Sequence, residues 1–364
     1  YNLEDKTSII NSLKNLDCIS HYLNAENNLL KKIEKNKDII IKLNTRDKKL
    51  HSKNIDNFIE NKTEHLLFVS SIFNDSKDIC IPILSEYLEE EFLSDEEMYE
   101  IMSDYFLSIS DTMGYEILKK TVDENKMYMV ELDSFSFNGI TFFNTFLNDF
   151  RVIIDEATIN NSIDLMTTIM HEMGHVIDYA YLENNSVYYS TKSIFIETLS
   201  SMYEKDFLDY LIRNSIYKRK AIERITDFYR NMYDELNYIA LSCNIPDNLL
   251  RREKYKKVTR EKLYGKVSEE AELLVPLEEF PLPQSLDMME SLEYGYGKAL
   301  ATYFLRLKKT DHDKYQDEFS KFMELRTDYF PKNFLEKIGT TREVLANNIE
   351  EEIMNSPCKI MIKK

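Results

Sequence analysis

The amino-acid sequence predicts a mainly α-helical fold with a small β-sheet or hairpin patch near the middle of the chain. The 364 residues include only seven glycines and seven prolines, which are too few turn signals for an all-β protein of this length. Apolar residues recur at helical spacing through most of the chain, whereas residues 126–155 contain short aromatic and β-branched runs. Because 43% of the residues are hydrophobic, the chain can bury a substantial core.

Residues 1–120 form the predicted helical front section. Leu66 and Val69 belong to an apolar stripe with helical spacing, which indicates a face that packs inward. Ser94 is followed directly by three acidic residues, a pattern typical of a helix N-cap and first turn. No glycine- or proline-rich linker separates this section from residues 121–364. We therefore expect the front section and the following domain to form one compact unit.

The β patch is predicted directly before the most apolar of the helical segments. Aromatic and β-branched residues are concentrated in three short runs, at 127–133, 140–146 and 152–154, with the turn signal Asn138-Gly139 between the first two. Runs of this length are typical of strands rather than helices. Helical periodicity returns at about residue 162 and continues towards the end of the chain.

The net charge argues against a nucleic-acid partner. The formal charge is -18 at pH 7, and phosphate binding requires a concentrated basic surface. Lysine and arginine are clustered at residues 218–220 and 251–257, which we interpret as solvated helix faces.

The cysteine pattern and the hydropathy of the chain favour a cytoplasmic protein. The four cysteines are far apart and form no CxxC pair, so the sequence indicates neither a disulfide framework nor a cysteine zinc site. No apolar run approaches the length of a membrane span, and the first residues lack the apolar core of a signal peptide. We therefore expect no membrane association.

The motif His171-Glu172-Met173-Gly174-His175 carries the predicted chemistry. It lies in an apolar helical segment that begins near Ser162, the expected N-cap. Histidines four residues apart lie on one helix face, where both imidazoles can bind one zinc ion at about 2.0 to 2.1 Å. Glu172 lies on a neighbouring face, from which it can reach a metal-bound water without being a ligand. Residues 121–364 are therefore the predicted zinc-binding catalytic domain, with one Zn²⁺ per chain.

A catalytic zinc site of this kind needs a third protein ligand, for which we favour Glu197. It lies 22 residues after His175 in a second helical segment, which allows a turn and a returning helix. Glu204, two turns further on, is the alternative third ligand and otherwise an outer residue that orients a histidine. Glu183 follows His175 too closely, and Asp178 on the first helix is a second candidate for orienting a histidine.

The expected reaction is peptide hydrolysis by a zinc-activated water, with Glu172 as general base. The negative charge that develops on the carbonyl oxygen needs a further donor. Tyr294 and Tyr296, in a segment that also contains two glycines, are the candidates. Tyrosine is common in this chain, with 24 copies, so a purely structural position for these two residues is equally open.

The two helical segments resemble those of the oligopeptidase F and thimet oligopeptidase family of zinc metallopeptidases. Residues 171–175 are similar to the HExGH helix of that family, and residues 195–204 are similar to the helix that supplies its glutamate ligand. Tyr294 and Tyr296 lie where the family has tyrosines that face the substrate. The resemblance implies a zincin-like helical metallopeptidase fold, and it implies short peptides as substrates because helices wall a deep channel to the zinc.

Three features of the sequence depart from this family. The front section is shorter, Asp178 replaces a histidine, and no histidine occurs between His175 and His312 to face the substrate. An alternative is therefore a catalytically degenerate relative that binds peptides and retains its zinc. The presence of Glu172 favours the enzyme, since a purely structural zinc site has no use for a base. A third reading is a helical interaction module in which the HExxH motif has no function.

Overall fold

The structure is a computed structural model that describes part of the chain. The described residues are 37–73, 78–80, 93–130, 138–144, 149–155, 158–184, 193–245, 247, 285–326, 333–357 and 361–363. Several sequence predictions lie outside them, including those for residues 1–36, for the basic cluster at 251–257 and for parts of the β runs at 131–133 and 145–146.

The described residues are mainly helical. The helices are α1 (Lys37–Phe73), α2 (Asp95–Ser108), α3 (Thr112–Asp123), α4 (Ser162–Asn184), α5 (Glu197–Arg213), α6 (Lys218–Cys243), α7 (Ser285–Thr310), α8 (His312–Leu325), α9 (Phe334–Ile338) and α10 (Arg342–Asn355). The strands are β1 (Asp78–Cys80), β2 (Met127–Val130), β3 (Gly139–Asn144), β4 (Asp149–Asp155) and β5 (Met361–Lys363).

The predicted fold class is confirmed, including the small sheet directly before the helix that carries the HExxH motif. The sheet has the order β2–β4–β3, in which β4 pairs in parallel with β2 and antiparallel with β3. The central strand carries the buried residues Val152 and Ile154, so its side chains join the main core. Strand β3 is an edge strand that packs against α4.

Helices α4, α5 and α7 form the centre of the protein. Helix α5 packs against both α4 and α7, and α6 packs against α5 and α7. Helix α1 of the front section packs against α6 and α10, so its core-facing residues belong to the same hydrophobic core. Among the helices that the structure describes, none has a stretch long and apolar enough to cross a membrane.

Helix α2 begins as the sequence predicts. The side chain of Ser94 accepts a hydrogen bond from the backbone N–H of Glu97, and the carboxylate of Glu97 accepts one from the backbone N–H of Ser94. This reciprocal capping box satisfies two backbone donors that the first helical turn leaves without helical partners. The predicted stripe on α1 is only partly correct, because Val69 is buried but Leu66 is exposed.

Three local details differ from the sequence prediction. Asn161, rather than Ser162, caps α4 by accepting hydrogen bonds from the backbone N–H groups of Ile163 and Asp164. The hydroxyl of Ser162 accepts a hydrogen bond from the backbone of Leu93 instead, at 2.7 Å. Helix α5 begins at Glu197, and the residues directly before it form a turn instead of continuing the helix. The antiparallel pair of β1 with β5 was not predicted. A three-residue pair contains too few residues to show an alternating pattern.

Candidate metal centre

Helix α4 presents the two motif histidines on one face. The helix runs from Ser162 to Asn184, and its apolar face is buried through residues such as Met166, Met170 and Met173. The rings of His171 and His175 lie one turn apart, with their centroids separated by 5.1 Å and their planes nearly perpendicular. The buried methionine face fixes the rotation of the helix, and this rotation directs both imidazoles towards α5.

Two glycines allow the helices around the site to approach one another closely. A Cβ atom on Gly174 would lie 2.4 Å from Cα of Ser200, so α4 and α5 are in contact through their backbones. A Cβ atom on Gly297 of α7 would lie 2.6 Å from Cβ of Glu197. The absence of a side chain at these positions lets α5 lie between α4 and α7, with Glu197 facing the histidines.

Nitrogen atoms of both histidines lie next to one carboxylate oxygen. Oε2 of Glu197 is 3.1 Å from Nε2 of His171 and 3.3 Å from Nε2 of His175. Ligand atoms bound to zinc at 2.0–2.1 Å in a tetrahedron lie about 3.3 Å apart. The measured separations fit that value, and the two ring nitrogens and the carboxylate oxygen lie within 4.8 Å of one another, an arrangement that could hold a metal ion. Two imidazoles and one carboxylate also match the ligands that zinc takes in catalytic sites.

The two histidines and Glu197 stabilise one another's charged forms. Burial alone would lower the pKa of His171, but hydrogen bonds and charge from Glu197 and Glu204 raise it to about 10. Burial acts to lower the pKa of His175, but the charge of Glu197, its hydrogen bond to the ring and the charge of Glu172 together raise it. Burial acts to raise the pKa of Glu197, yet the two histidines hold it well below its usual value. A cation held by these residues would have to displace a histidine proton, because metals bind neutral imidazole.

Glu204 and Ser200 support the ligands from α5. Oε2 of Glu204 lies 3.0 Å from Nδ1 of His171, so the ring presents Nε2 to the proposed metal position. The hydroxyl of Ser200 donates to Oε2 of Glu197 at 3.2 Å. Burial raises the pKa of Glu204, but its bond to His171 and the charges of Lys298 and Arg224 lower it overall. Glu204 thus contacts His171, one of the two histidines that the sequence analysis expected an outer acid to orient.

The motif acid Glu172 lies between α4 and the sheet. Its side chain is buried, and Oε2 accepts a hydrogen bond of 2.6 Å from the hydroxyl of Thr141 on β3. A Cβ atom on Gly139 would lie 2.9 Å from Oε1, so the backbone of β3 passes directly beside the carboxylate. Sequence analysis missed Thr141, because 31 residues separate it from Glu172 and no motif connects them.

The two candidate tyrosines occupy different environments. The ring of Tyr294 is nearly parallel to the ring of His171, with a centroid separation of 6.4 Å. Tyr296 is fully buried, stacks on Phe68 of α1 and shares a hydrogen bond of 2.8 Å with Nδ1 of His65. The structure therefore brings Tyr294 to the candidate metal centre and places Tyr296 in the core between α7 and α1.

Asp178, expected to orient a histidine, has a different partner. Its Oδ1 accepts a hydrogen bond of 2.7 Å from Nε of Arg326, and both side chains are buried. This ion pair ties α4 to the end of α8. Nδ1 of His171 is bonded by Glu204, the other residue that the sequence analysis named for orienting a histidine.

Comparisons with known proteins give two structural likenesses. No protein-family model matches this sequence, and no curated protein matches it. The chain is similar to a protein from Chlamydophila abortus proposed to be a peptidase, with 14% identity and a TM-score of 0.48 over 84% of this chain and 55% of that one. It is also similar to a protein proposed to be oligoendopeptidase F, with 9% identity and a TM-score of 0.46 over 83% and 57%. The chain thus spans little more than half the length of either protein.

Proposed function

We propose that this protein is a zinc-dependent peptidase that hydrolyses short peptides. One observation carries the proposal: Nε2 of His171 and Nε2 of His175 lie 3.1 and 3.3 Å from the same oxygen of Glu197, and Glu172 follows His171 directly. Structural zinc sites use four protein ligands, whereas catalytic sites use three and leave a position for water. The cluster found among the described residues has three.

The proposed chemistry follows from Glu172, the residue directly after His171 in α4. His171, His175 and Glu197 would hold the zinc, which when bound would supply a water of lowered pKa, about 7, and a Lewis acid for the scissile carbonyl. The carboxylate of Glu172 takes a proton from the water as the bond between its oxygen and the carbonyl carbon forms. Glu172 then gives this proton to the amide nitrogen as the C–N bond breaks. The burial of Glu172 favours proton transfer, since bulk water is excluded from its carboxylate.

Tyr294 and Glu204 have supporting roles in the proposed reaction. The phenol of Tyr294 is the candidate donor to the developing oxyanion, because its ring lies beside His171. Glu204 fixes the orientation of the His171 ring through Nδ1 and increases the basicity of the other nitrogen. We assign no catalytic role to Tyr296 or Asp178, whose partners are His65 and Arg326.

The recessed position of the ligands supports short peptides as the substrate class. Only 13% of the His171 side chain and 16% of the His175 side chain are exposed, because α5 packs against the face of α4 that carries them and Tyr294 of α7 lies beside His171. A scissile bond within a folded domain would not reach ligands at this depth, whereas an extended segment of a few residues would.

The test compares the parent protein with Glu172→Gln, which keeps the shape of the side chain and removes the base. We expect zinc-dependent hydrolysis of a mixed pool of quenched-fluorescent short peptides by the parent. The variant should bind one zinc per chain and lose about 10²-fold to 10⁴-fold in rate. Glu60→Gln, at an exposed position on α1, is the matched control and should keep full activity.

Removal and return of the metal completes the experiment. A chelator should abolish hydrolysis, and stoichiometric zinc should restore it in the parent and in Glu60→Gln but not in Glu172→Gln. A zinc-loaded parent that hydrolyses no peptide would contradict the proposal. That outcome would favour the alternative suggested by the absence of a histidine between His175 and His312, a peptide-binding protein with a retained zinc site.

A further inference from the structure

The hydroxyl of Thr141 makes the shortest polar contact of the carboxylate of Glu172. It donates to Oε2 at 2.6 Å, and the backbone oxygen of Glu172 lies 3.3 Å from the same hydroxyl. Among the described residues, Oε1 of Glu172 has no hydrogen-bond donor, and a side chain at Gly139 would crowd it, because a Cβ atom there would lie 2.9 Å away. The two oxygens of the carboxylate therefore have different environments.

The sheet holds Thr141 in place. Thr141 pairs with Val152 on the central strand β4, and Val152 is fully buried. A β-branched side chain in a strand has restricted rotation about χ1, so ladder pairing also restricts the direction of the hydroxyl. Thr141 is thus a rigid donor supplied by a different element from the one that carries Glu172.

We propose that Thr141 is a positioning residue for the reaction: its hydroxyl holds Oε2 of Glu172 and leaves Oε1 as the atom that accepts and returns the proton. The inference rests on the proposed function, since a base needs positioning only if it transfers a proton. A carboxylate held through one oxygen loses the freedom to rotate about its terminal torsion, which otherwise has a broad distribution. Fixing this torsion before the substrate binds keeps the base in a reactive geometry.

A purely structural role for Thr141 predicts a different set of observations. A structural hydrogen bond between β3 and α4 would stabilise the fold and the zinc ligands, so its loss would lower the unfolding temperature or the zinc affinity. A positioning bond acts on proton transfer. Its loss lowers kcat while KM, zinc affinity and unfolding temperature remain close to those of the parent.

The experiment compares Thr141→Val, Thr141→Ser and the parent protein, each loaded with zinc. Valine keeps the shape of the side chain without the hydroxyl, whereas serine keeps the hydroxyl. We expect Thr141→Val to lose roughly 10-fold to 100-fold in kcat, the effect of one hydrogen bond to a charged group. Thr141→Ser should recover most of that loss. Thr226→Val, which removes another buried hydroxyl that donates to a helix carbonyl, is the matched control.

A second readout measures binding without turnover. A phosphinic peptide, which mimics the tetrahedral geometry of the reacting carbonyl, should raise the unfolding temperature of the zinc-loaded parent more than that of Thr141→Val. Equal kcat and equal stabilisation in parent and Thr141→Val would overturn the inference while hydrolysis by the parent upholds the proposed function. A fall in zinc affinity or stability that accounts for the lost activity would also overturn it. A zinc-loaded parent with no hydrolysis would overturn both proposals together.

Discussion

The close contact at Gly174 makes a quantitative prediction for Gly174→Ala. The added Cβ would lie 2.4 Å from Cα of Ser200, 3.0 Å from its backbone nitrogen and 3.1 Å from the carbonyl oxygen of Leu199. All three atoms belong to the backbone, so no change of rotamer can relieve the contact. Carbon atoms in van der Waals contact lie about 3.5–4.0 Å apart. Helices α4 and α5 must therefore separate by about 1 Å.

This separation affects zinc binding more than folding. Overpacking costs about 1–3 kcal/mol, and the higher helix propensity of alanine offsets about 1 kcal/mol of that cost. The net loss in the free energy of unfolding of the metal-free protein should be about 0–2 kcal/mol. Metal–ligand distances tolerate deviations of only about 0.2 Å, whereas the shift moves Glu197 relative to the histidines by several times as much. We expect at least a roughly 10-fold loss of zinc affinity.

The assay combines urea unfolding without metal and a competition titration with zinc. Gly295→Ala on α7 is the matched control, because its Cβ would meet only side-chain atoms, the nearest being Cδ1 of Ile239 at 3.0 Å. The end of an isoleucine side chain can move, so the control should retain zinc affinity and stability within about 1 kcal/mol. Unchanged zinc affinity in Gly174→Ala would refute the inference that contact between α4 and α5 sets the geometry of the ligands.

Two further predictions concern stability. Burial lowers the pKa of His65 from 6.5 to about 3. Between these two pH values the unfolded state binds more protons than the folded state, so the free energy of unfolding falls as the pH decreases. The loss is at most about 5 kcal/mol near pH 3. Urea unfolding should show that the free energy of unfolding falls less between pH 7 and pH 4 in His65→Gln than in the parent. An equal pH dependence in the two proteins would contradict this, as would the same reduction in the exposed variant His312→Gln. Lys205 is fully buried and bonds Glu352 at 2.8 Å. Lys205→Met should therefore lower the free energy of unfolding by about 3–5 kcal/mol, because it leaves a buried carboxylate without this partner. Lys321→Met, which removes an exposed ion pair, is the control and should change it by less than about 1 kcal/mol. A loss below about 1 kcal/mol for Lys205→Met would contradict this and show that Lys309, which also bonds Glu352 at 2.6 Å, compensates for the missing charge.

Spacing along the chain was sufficient to predict the parts of the site that depend on helix periodicity. Histidines four residues apart must share a helix face, and a glutamate 22 residues later can return on a neighbouring helix. The structure brings Nε2 of His171, Nε2 of His175 and a carboxylate oxygen of Glu197 together, as this reasoning requires. The small sheet was predictable for a similar reason, because short aromatic and β-branched runs within 126–155 contrast with the helical periodicity on both sides.

Contacts between distant elements were not predictable from spacing. The bond from Thr141 to Glu172 depends on the register of β3 and on how closely β3 lies to α4, and neither is encoded in a local pattern. The choice of Asp178 as a residue that orients a histidine rested on such a local pattern. Its proximity in sequence suggested a histidine partner, but Arg326, 148 residues later, takes its carboxylate. A single sequence contains no signal that identifies either pairing.

The two tyrosines show where a firmer sequence argument was possible. Residues two positions apart on an α-helix point about 200° away from each other, so they face nearly opposite sides. Once the segment around residues 294–296 is assigned to a helix, only one tyrosine can face the metal centre. The structure places Tyr294 beside His171 and Tyr296 against Phe68 and His65. Gly297 is tolerated in α7 because it lies directly against Glu197, so this glycine indicates close packing of helices.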